Sequence, residues 1–345
     1  MLDLDTIYRK LKEIKVGDGD VVSLGMIRDL AIENGRVSFK VRVPAAFKDQ
    51  VTPQAIEQKV KELEGVTEVQ IDWRVMEETP ARPGLDLKVP GALEQRIGKV
   101  IAVTSGKGGV GKSTVAANLA VALARHNKKV GLMDGDIYGP SIPKMFGIED
   151  YELKVVNRKI IPVVRFGVKV LSIGLLVDES QPIVWRGPMV HKAYQQFLSD
   201  VEWGILDYLV LDLPPGTGDA QLSAVQLFPV KGGIAVTTPQ DVSLADVRRA
   251  IGMLRKVDVP VLGLVENMSY LVCPHCGERI YVFGRGGGER LAREMGVDLL
   301  AQIPLDPAVV EASDQGMPPV ATHPNSLVAQ AFDELARKVI AKLEG

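Results

Sequence analysis

Apolar positions along this chain follow two regimes, split near residue 80. In the first part, Leu4, Ile7, Tyr8, Leu11 and Ile14 recur every three or four positions, the spacing of one helix face. Val37, Phe39, Val41 and Val43 alternate with Arg36, Ser38, Lys40 and Arg42, which predicts a strand buried on one side. Thr52-Pro53 offers an N-cap and a first helical residue ahead of Ile56, Val60 and Leu63. Val66, Val69, Ile71 and Trp73 predict a closing strand. Residues 1–79 therefore read as a small α+β domain. Residues 80–97, with Pro80, Pro83, Gly84, Pro90 and Gly91, read as a linker.

From residue 98 to 345 short apolar runs alternate with helical patterns. The runs fall at 100–104, 129–133, 168–173, 208–213, 233–237, 259–265 and 299–303. Helical spacing covers 112–126, 219–227, 242–256 and 327–343. Such alternation predicts an α/β fold, a mostly parallel sheet flanked by helices on both faces. In such sheets ligands sit beyond the carboxyl ends of the strands. The stretch 326–343 is amphipathic, but Asp333 and Glu334 offset Arg337, Lys338 and Lys342, so it is expected to pack on the sheet and not on a membrane.

Composition narrows the class. The 345 residues are 46% hydrophobic and 24% charged with net charge −2, which provides no general attraction for nucleic acid or acidic lipid. No apolar run reaches the roughly 18 residues of a spanning helix, and the N-terminus lacks a signal-type apolar region. A cytoplasmic location without membrane or nucleic-acid partners is expected. Two cysteines, Cys273 and Cys276, cannot staple a secreted fold.

The strongest chemical signal is the run Gly106, Lys107, Gly108, Gly109, Val110, Gly111, Lys112, Ser113 and Thr114, set between a strand pattern and a helix pattern. It fits G-x-x-x-x-G-K-[ST], in which backbone N–H groups cradle phosphates, the lysine reaches the outer phosphates and the hydroxyl ligates Mg²⁺. Lys112 and Ser113 take those roles here, and the second lysine, Lys107, resembles the deviant P-loop of nitrogenase-iron-protein, cell-division and partition ATPases. That resemblance implies that Lys107 reaches across a dimer to the partner's nucleotide. Asp212 ends a strand pattern ahead of Leu213-Pro214-Pro215-Gly216, suited to Mg²⁺ and to sensing a γ-phosphate. Asp134 and Asp136 end another strand. One would orient the attacking water and the other would bind Mg²⁺ through its hydration shell, and the deviant P-loop resemblance assigns the water to Asp136. Asn267 follows a further strand and can pair with an adenine edge as donor and acceptor. Asp306 would line the same pocket. Both residue types also cap turns.

Cys273-Pro274-His275-Cys276-Gly277 has the spacing of a two-thiolate knuckle. A tetrahedral sulfur site needs four ligands, so the other two come from a second copy, a target protein or small thiols. An iron–sulfur cluster shared across a two-fold axis, a zinc ion held likewise, a redox dithiol and a pair of structural thiols all use this spacing. The dithiol motif opens a helix, whereas Arg279-Ile280-Tyr281-Val282-Phe283 reads here as strand.

Taken together, Ser105 to Ser113, Asp134 to Ser141, Trp185 to Met189, Asp212 to Asp219, Asn267-Met268-Ser269 and the cysteine knuckle resemble the Mrp/ApbC family in both content and order. The resemblance implies a homodimeric carrier that binds and slowly hydrolyses ATP with Mg²⁺. It also implies a [4Fe–4S] cluster bridged by Cys273 and Cys276 of each subunit and passed to apo target proteins, with upstream scaffold proteins as donors. The alternative is a positioning or partition-type ATPase switch with a structural zinc clasp. Residues 1–79 resemble the small iron–sulfur assembly domain, with Asp18 to Gly25 partly matching its signature. Where stand-alone versions carry a cysteine, this chain reads Pro44-Ala45-Ala46-Phe47, which points to target docking or modulation of the ATPase rather than cluster binding.

Overall fold

The computed structural model describes residues 4–16, 19–22, 26–33, 35–44, 47–63, 65–76, 97–137, 139–176 and 187–345. The chain divides into two compact units, residues 1–87 and 88–345. The expected linker, except for Ile97, lies outside the described residues, as do Asp18, Ser23 to Gly25, Ala45, Ala46, Trp185 and Arg186.

The N-terminal unit is a helix, α1 (Leu4–Leu11), a small ribbon of β1 (Lys15–Val16) and β2 (Gly19–Asp20), then β3 (Ile27–Glu33), β4 (Arg36–Pro44), α2 (Pro53–Lys61) and β5 (Glu68–Met76). The three longer strands form one sheet in the order β3-β4-β5, antiparallel then parallel. The side chain of Thr52 accepts from the N–H of Ala55 at 3.3 Å and caps α2. Alternating Val37, Phe39, Val41 and Val43 are all buried, together with Ile7, Leu11, Ile56 and Val60. Strand β3 is absent from the expectation above. Its pairing with β4 shifts register between Arg28 and Ala31, and that bulge interrupts the period-two pattern.

The larger unit is built on an eight-stranded sheet. Its strands are β6 (Ile97–Ser105), β7 (Val130–Asp134), β10 (Val163–Arg165), β11 (Val168–Ser172), β12 (Leu206–Asp212), β13 (Val230–Thr237), β14 (Val261–Glu266) and β17 (Leu299–Gln302). Between β7 and β10 lies a hairpin, β8 (Lys154–Val156) and β9 (Lys159–Ile161). Between β14 and β17 lies a second, β15 (Leu271–Val272) and β16 (Arg279–Ile280). The order across the sheet is β10-β11-β7-β12-β6-β13-β14-β17, and every pairing is parallel except that of the edge strand β10.

Strand β6 shows why the runs are continuous and not alternating. Ile101 and Val103 point into the layer holding α3 (Lys112–Arg125) and the C-terminal helix Leu327–Glu344. Val100 and Ala102 point into the opposite layer, with Tyr194 and Phe197 of helix Gly187–Ser199. A strand buried on both sides has no polar face to mark its period. The C-terminal helix buries Val328, Phe332, Leu335 and Val339 against this core, as its amphipathic pattern predicts. Among the described residues no helix is long and apolar enough to cross a membrane.

One local expectation is corrected. The strand read over 279–283 stops at Ile280, and residues 281–286 turn through Gly284 and Gly286, both at positive φ.

Candidate functional site

Two centres stand at the carboxyl edge of the central strands. The first begins where β6 ends at Ser105. Its chain turns through residues 106–111 and enters α3 at Lys112. Gly111 caps that helix at φ 79°, where an L-residue is strained. A Cβ there would stand 2.2 Å from Nδ2 of Asn267. The cap makes no side-chain hydrogen bond, so the first-turn N–H groups of α3 have no side-chain acceptor there, as anion binding at a helix start requires. A Cβ at Gly108 or Gly109 would meet nothing within 4 Å, so the loop's outer rim is open. Ser105 Oγ braces the loop by donating to the carbonyl of Lys107 at 2.9 Å.

Three carboxylates meet this loop because β7 and β12 are neighbours in parallel register. Asp212 ends β12 opposite Asp134, which ends β7. Lys112 Nζ, only 6% exposed, lies 2.5 Å from Oδ1 of the fully buried Asp212, 4.0 Å from Oδ2 of Asp136 and 3.2 Å from Oγ of Ser113. Oδ2 of Asp212 is buried without a hydrogen-bond partner among the described residues. An unmatched carboxylate oxygen beside a serine hydroxyl fits a hard divalent cation or its water.

Asp134 plays a different part from its neighbours. Its Oδ1 accepts from the N–H of Asp136 at 3.1 Å, and its Oδ2 accepts from the N–H of Ile142 at 3.3 Å and from Ser172 Oγ at 2.9 Å. The side chain thus closes the loop 135–141 on itself. Burial, then the charge of Asp212, pushes its pKa up to about 7, against the opposing pull of Lys112. Tyr194 supports the same loop by donating to the carbonyl of Gly135 at 2.7 Å.

Asn267, one residue past β14, is buried and donates from Nδ2 to the carbonyl of Val110 at 3.0 Å. Its amide is thereby seated on the loop 106–111 itself. Asp306 is the N-cap of helix Pro307–Asp314 and accepts from the N–H of Ala308 at 3.0 Å. Lys107, Gly106, Ser113 and Thr114 occupy the loop and first turn as their spacing requires. Glu266, which no motif marks, is buried at the same edge. Only its position at a strand end could have drawn attention to it.

The second centre is the β15–β16 hairpin. Cys273 is half-buried and Cys276 exposed, and both are free thiols. The knuckle closes through Cys273 N–H to Glu278 O and Gly277 N–H to Cys273 O, both 2.9 Å. Backbone N–H groups of Cys276 and then His275 aim at the Cys273 sulfur and hold its pKa below the ordinary thiol value. Among the described residues no group of three or more His, Cys, Asp or Glu could hold a metal ion, so within this chain the hairpin offers two sulfurs. On its flanks the guanidinium of Arg279 stacks over Tyr270 at 4.3 Å and that of Arg285 over Tyr281 at 4.9 Å.

Comparison with known proteins gives the family. Residues 96–340 match the NUBPL iron-transfer P-loop NTPase family, and residues 5–71 match an iron–sulfur cluster assembly protein domain. An iron–sulfur cluster carrier protein of Synechocystis is 43% identical over 99% of this chain and 98% of its own length. A carrier of the same name from Helicobacter pylori is 40% identical over 100% and 94%. Among solved structures, a nucleotide-binding protein of Archaeoglobus fulgidus in complex with ADP is 44% identical, with TM-score 0.60 over 66% of this chain and 90% of that one. The cell-division ATPase MinD of Pyrococcus furiosus is 28% identical, with TM-score 0.55 over 71% and 99%. Nearly full-length identity of 40–43%, the P-loop edge and the two-thiol hairpin together place this chain in the family of iron–sulfur cluster carrier and transfer P-loop NTPases.

Proposed function

We propose that this protein binds and hydrolyses ATP and carries a [4Fe–4S] cluster between the cysteine hairpins of two copies, for delivery to apo iron–sulfur proteins. The observation that carries the reading is the exposed hairpin with two thiols in a chain that has no other cysteine. Two copies of the chain then supply the four thiolates such a cluster needs. Cysteines at an exposed tip allow a recipient's thiols to replace them one at a time, whereas a buried site would not. Upstream scaffold proteins would load the cargo by the same route.

In the nucleotide centre the N–H groups of residues 108–113 would cradle the phosphates, and the ammonium of Lys112 would exchange Asp212 for the outer phosphates. Ser113 and Asp212 would hold Mg²⁺, which supplies charge neutralisation for phosphoryl transfer. Asp136 would take the proton of the attacking water, with its backbone held by Asp134. Lys107 of one copy would complete the other's site, so that ATP favours the paired state. Asn267 would offer its amide to the adenine edge while holding the loop, and Asp306 would border that pocket. Residues 1–79 would dock targets or modulate the ATPase. The composition and fold suit the cytoplasm.

The test is anaerobic reconstitution followed by iron, sulfide and zinc analysis with a solution mass. About two irons and two sulfides per chain in a dimer is the expected result. Stoichiometric zinc without sulfide would overturn the carrier reading in favour of a partition-type switch with a zinc clasp.

A further inference from the structure

The nucleotide loop and the cysteine hairpin are joined through two consecutive buried residues, Glu266 and Asn267. Glu266, 1% exposed, ends β14 between them. Its Oε1 accepts from Ser269 Oγ at 2.6 Å and from Gln302 Nε2 at 3.1 Å, and its Oε2 accepts from the N–H of Gly288 at 2.5 Å. Ser269 and Gly288 are the two ends of the excursion that carries Cys273 and Cys276. A single carboxylate therefore fastens both feet of the hairpin. Gly288 lies in the first turn of the helix Gly287–Met295, and a Cβ there would stand 2.6 Å from Oε2 of Glu266, so glycine lets the helix start approach this closely. Charge at a helix N-terminus strengthens the contact.

On its other side Glu266 adjoins Asn267, whose side chain is seated on the carbonyl of Val110 in the phosphate loop. Met268, between Asn267 and Ser269, adopts φ 53°, a left-handed conformation uncommon for a non-glycine residue. The turn 267–269 is thus held at both ends, on the nucleotide loop and on Glu266. A third tie reaches the hairpin from the β17 end, where Ser269 N–H donates to Ile303 O at 2.9 Å and Leu305 N–H to Tyr270 O at 2.7 Å. A shift of the phosphate loop would move Asn267, and with it the shared anchor of the cysteine hairpin.

We propose that Glu266 is the positioning residue through which nucleotide occupancy sets the geometry of the Cys273–Cys276 hairpin. The inference rests on the carrier reading above and adds to it the residue that joins its two centres. In Glu266→Gln one carboxylate oxygen becomes an NH2 group that can accept from none of Ser269, Gln302 and Gly288, so at nearly constant volume at least one foot of the hairpin loses its present hydrogen bond.

The test uses the full-length chain without cluster, under anaerobic conditions. Alkylation rates of Cys273 and Cys276 by iodoacetamide are followed by mass spectrometry, with and without a non-hydrolysable Mg-ATP analogue. Nucleotide affinity is measured in parallel. In the unsubstituted protein the analogue is expected to change the alkylation rate by about fivefold or more, the lower range of measured site-to-site coupling. In Glu266→Gln that change is expected to vanish, with affinity kept within about threefold, or roughly 0.7 kcal/mol. Ser269→Ala, which removes one donor and leaves the carboxylate and Gly288 in place, should show a partial loss and serves if Glu266→Gln does not fold. A full nucleotide response in either variant overturns the role of Glu266 while leaving the carrier reading intact. No response in the unsubstituted protein overturns both this inference and nucleotide control of the hairpin. Metal and sulfide content separately decides whether a cluster is carried.

Discussion

Lys112→Met tests the electrostatics of the nucleotide centre most directly. The ammonium, 6% exposed, lies 2.5 Å from Asp212 and 4.0 Å from Asp136, and Asp134 stands beside Asp212 in the sheet. Methionine keeps much of the volume and removes the ammonium that stands among the three carboxylates. Breaking a buried ion pair by deleting one partner costs about 3–5 kcal/mol, because the remaining charge is left uncompensated. At about 2–4 °C per kcal/mol for a domain of this size, the main unfolding transition should fall by roughly 6–20 °C at pH 8. The loss must be smaller at pH 6. Lys112 holds the pKa of Asp134 down, so without it that pKa rises further above its unfolded value. A raised carboxyl pKa means the folded state binds more protons, so stability is retained at low pH and lost as pH rises through the folded pKa. Asp134, already at about 7, sets that window. The assay is thermal unfolding at pH 6 and pH 8 without nucleotide, on Lys112→Met and on Lys112→Met combined with Asp212→Asn. The combined variant should recover part of the loss, because the orphaned charge is gone. A drop under about 2 °C at pH 8, or an equal drop at both pH values, would show that Lys112 does not compensate buried carboxylate charge.

Three further outcomes follow from named contacts. In the unsubstituted protein, raising pH from 5 to 8 should cost on the order of a few kcal/mol through Asp134, whose folded pKa is raised; Asp134→Asn should flatten that slope in denaturant titrations at the two pH values. Gly111→Ala must hold φ 79° and displace the amide of Asn267, so ADP affinity measured by calorimetry should fall about tenfold or more, corresponding to strain of about 1–3 kcal/mol. Phe332→Ala opens a cavity between the C-terminal helix and the sheet, and chemical denaturation should report a loss of about 3–5 kcal/mol with ADP affinity unchanged.

Much of the fold is legible along the chain because its signals are local. The phosphate loop is written in consecutive residues, since glycines, lysine and serine act there through backbone geometry spanning one turn. The runs at 100–104 and 208–213 mark strands of a parallel sheet because both of their faces are covered, and the cysteine knuckle closes within a few residues. Strand β3 escaped because its bulge breaks the alternation, and the run after Arg279 misled because apolar side chains there sit on turns held by Gly284 and Gly286.

The chain alone specifies the α/β class, the glycine-rich loop ahead of Lys112, the placement of Asp134, Asp212 and Asn267 at strand ends, and the knuckle that pairs Cys273 with Cys276. Each of those depends on spacing of a few residues, which a chain cannot hide. Tertiary structure decided what these groups do to one another. Parallel register set Asp134 beside Asp212 and put Lys112 between carboxylates 22 or more positions away. Sheet order seated Asn267 on Val110, 157 residues distant. Burial turned Asp134 into a brace for its own loop and made Glu266 a shared anchor for Ser269, Gln302 and Gly288. Such roles arise from distances across the sheet and from loss of water around charge, and both exist only once the chain has folded.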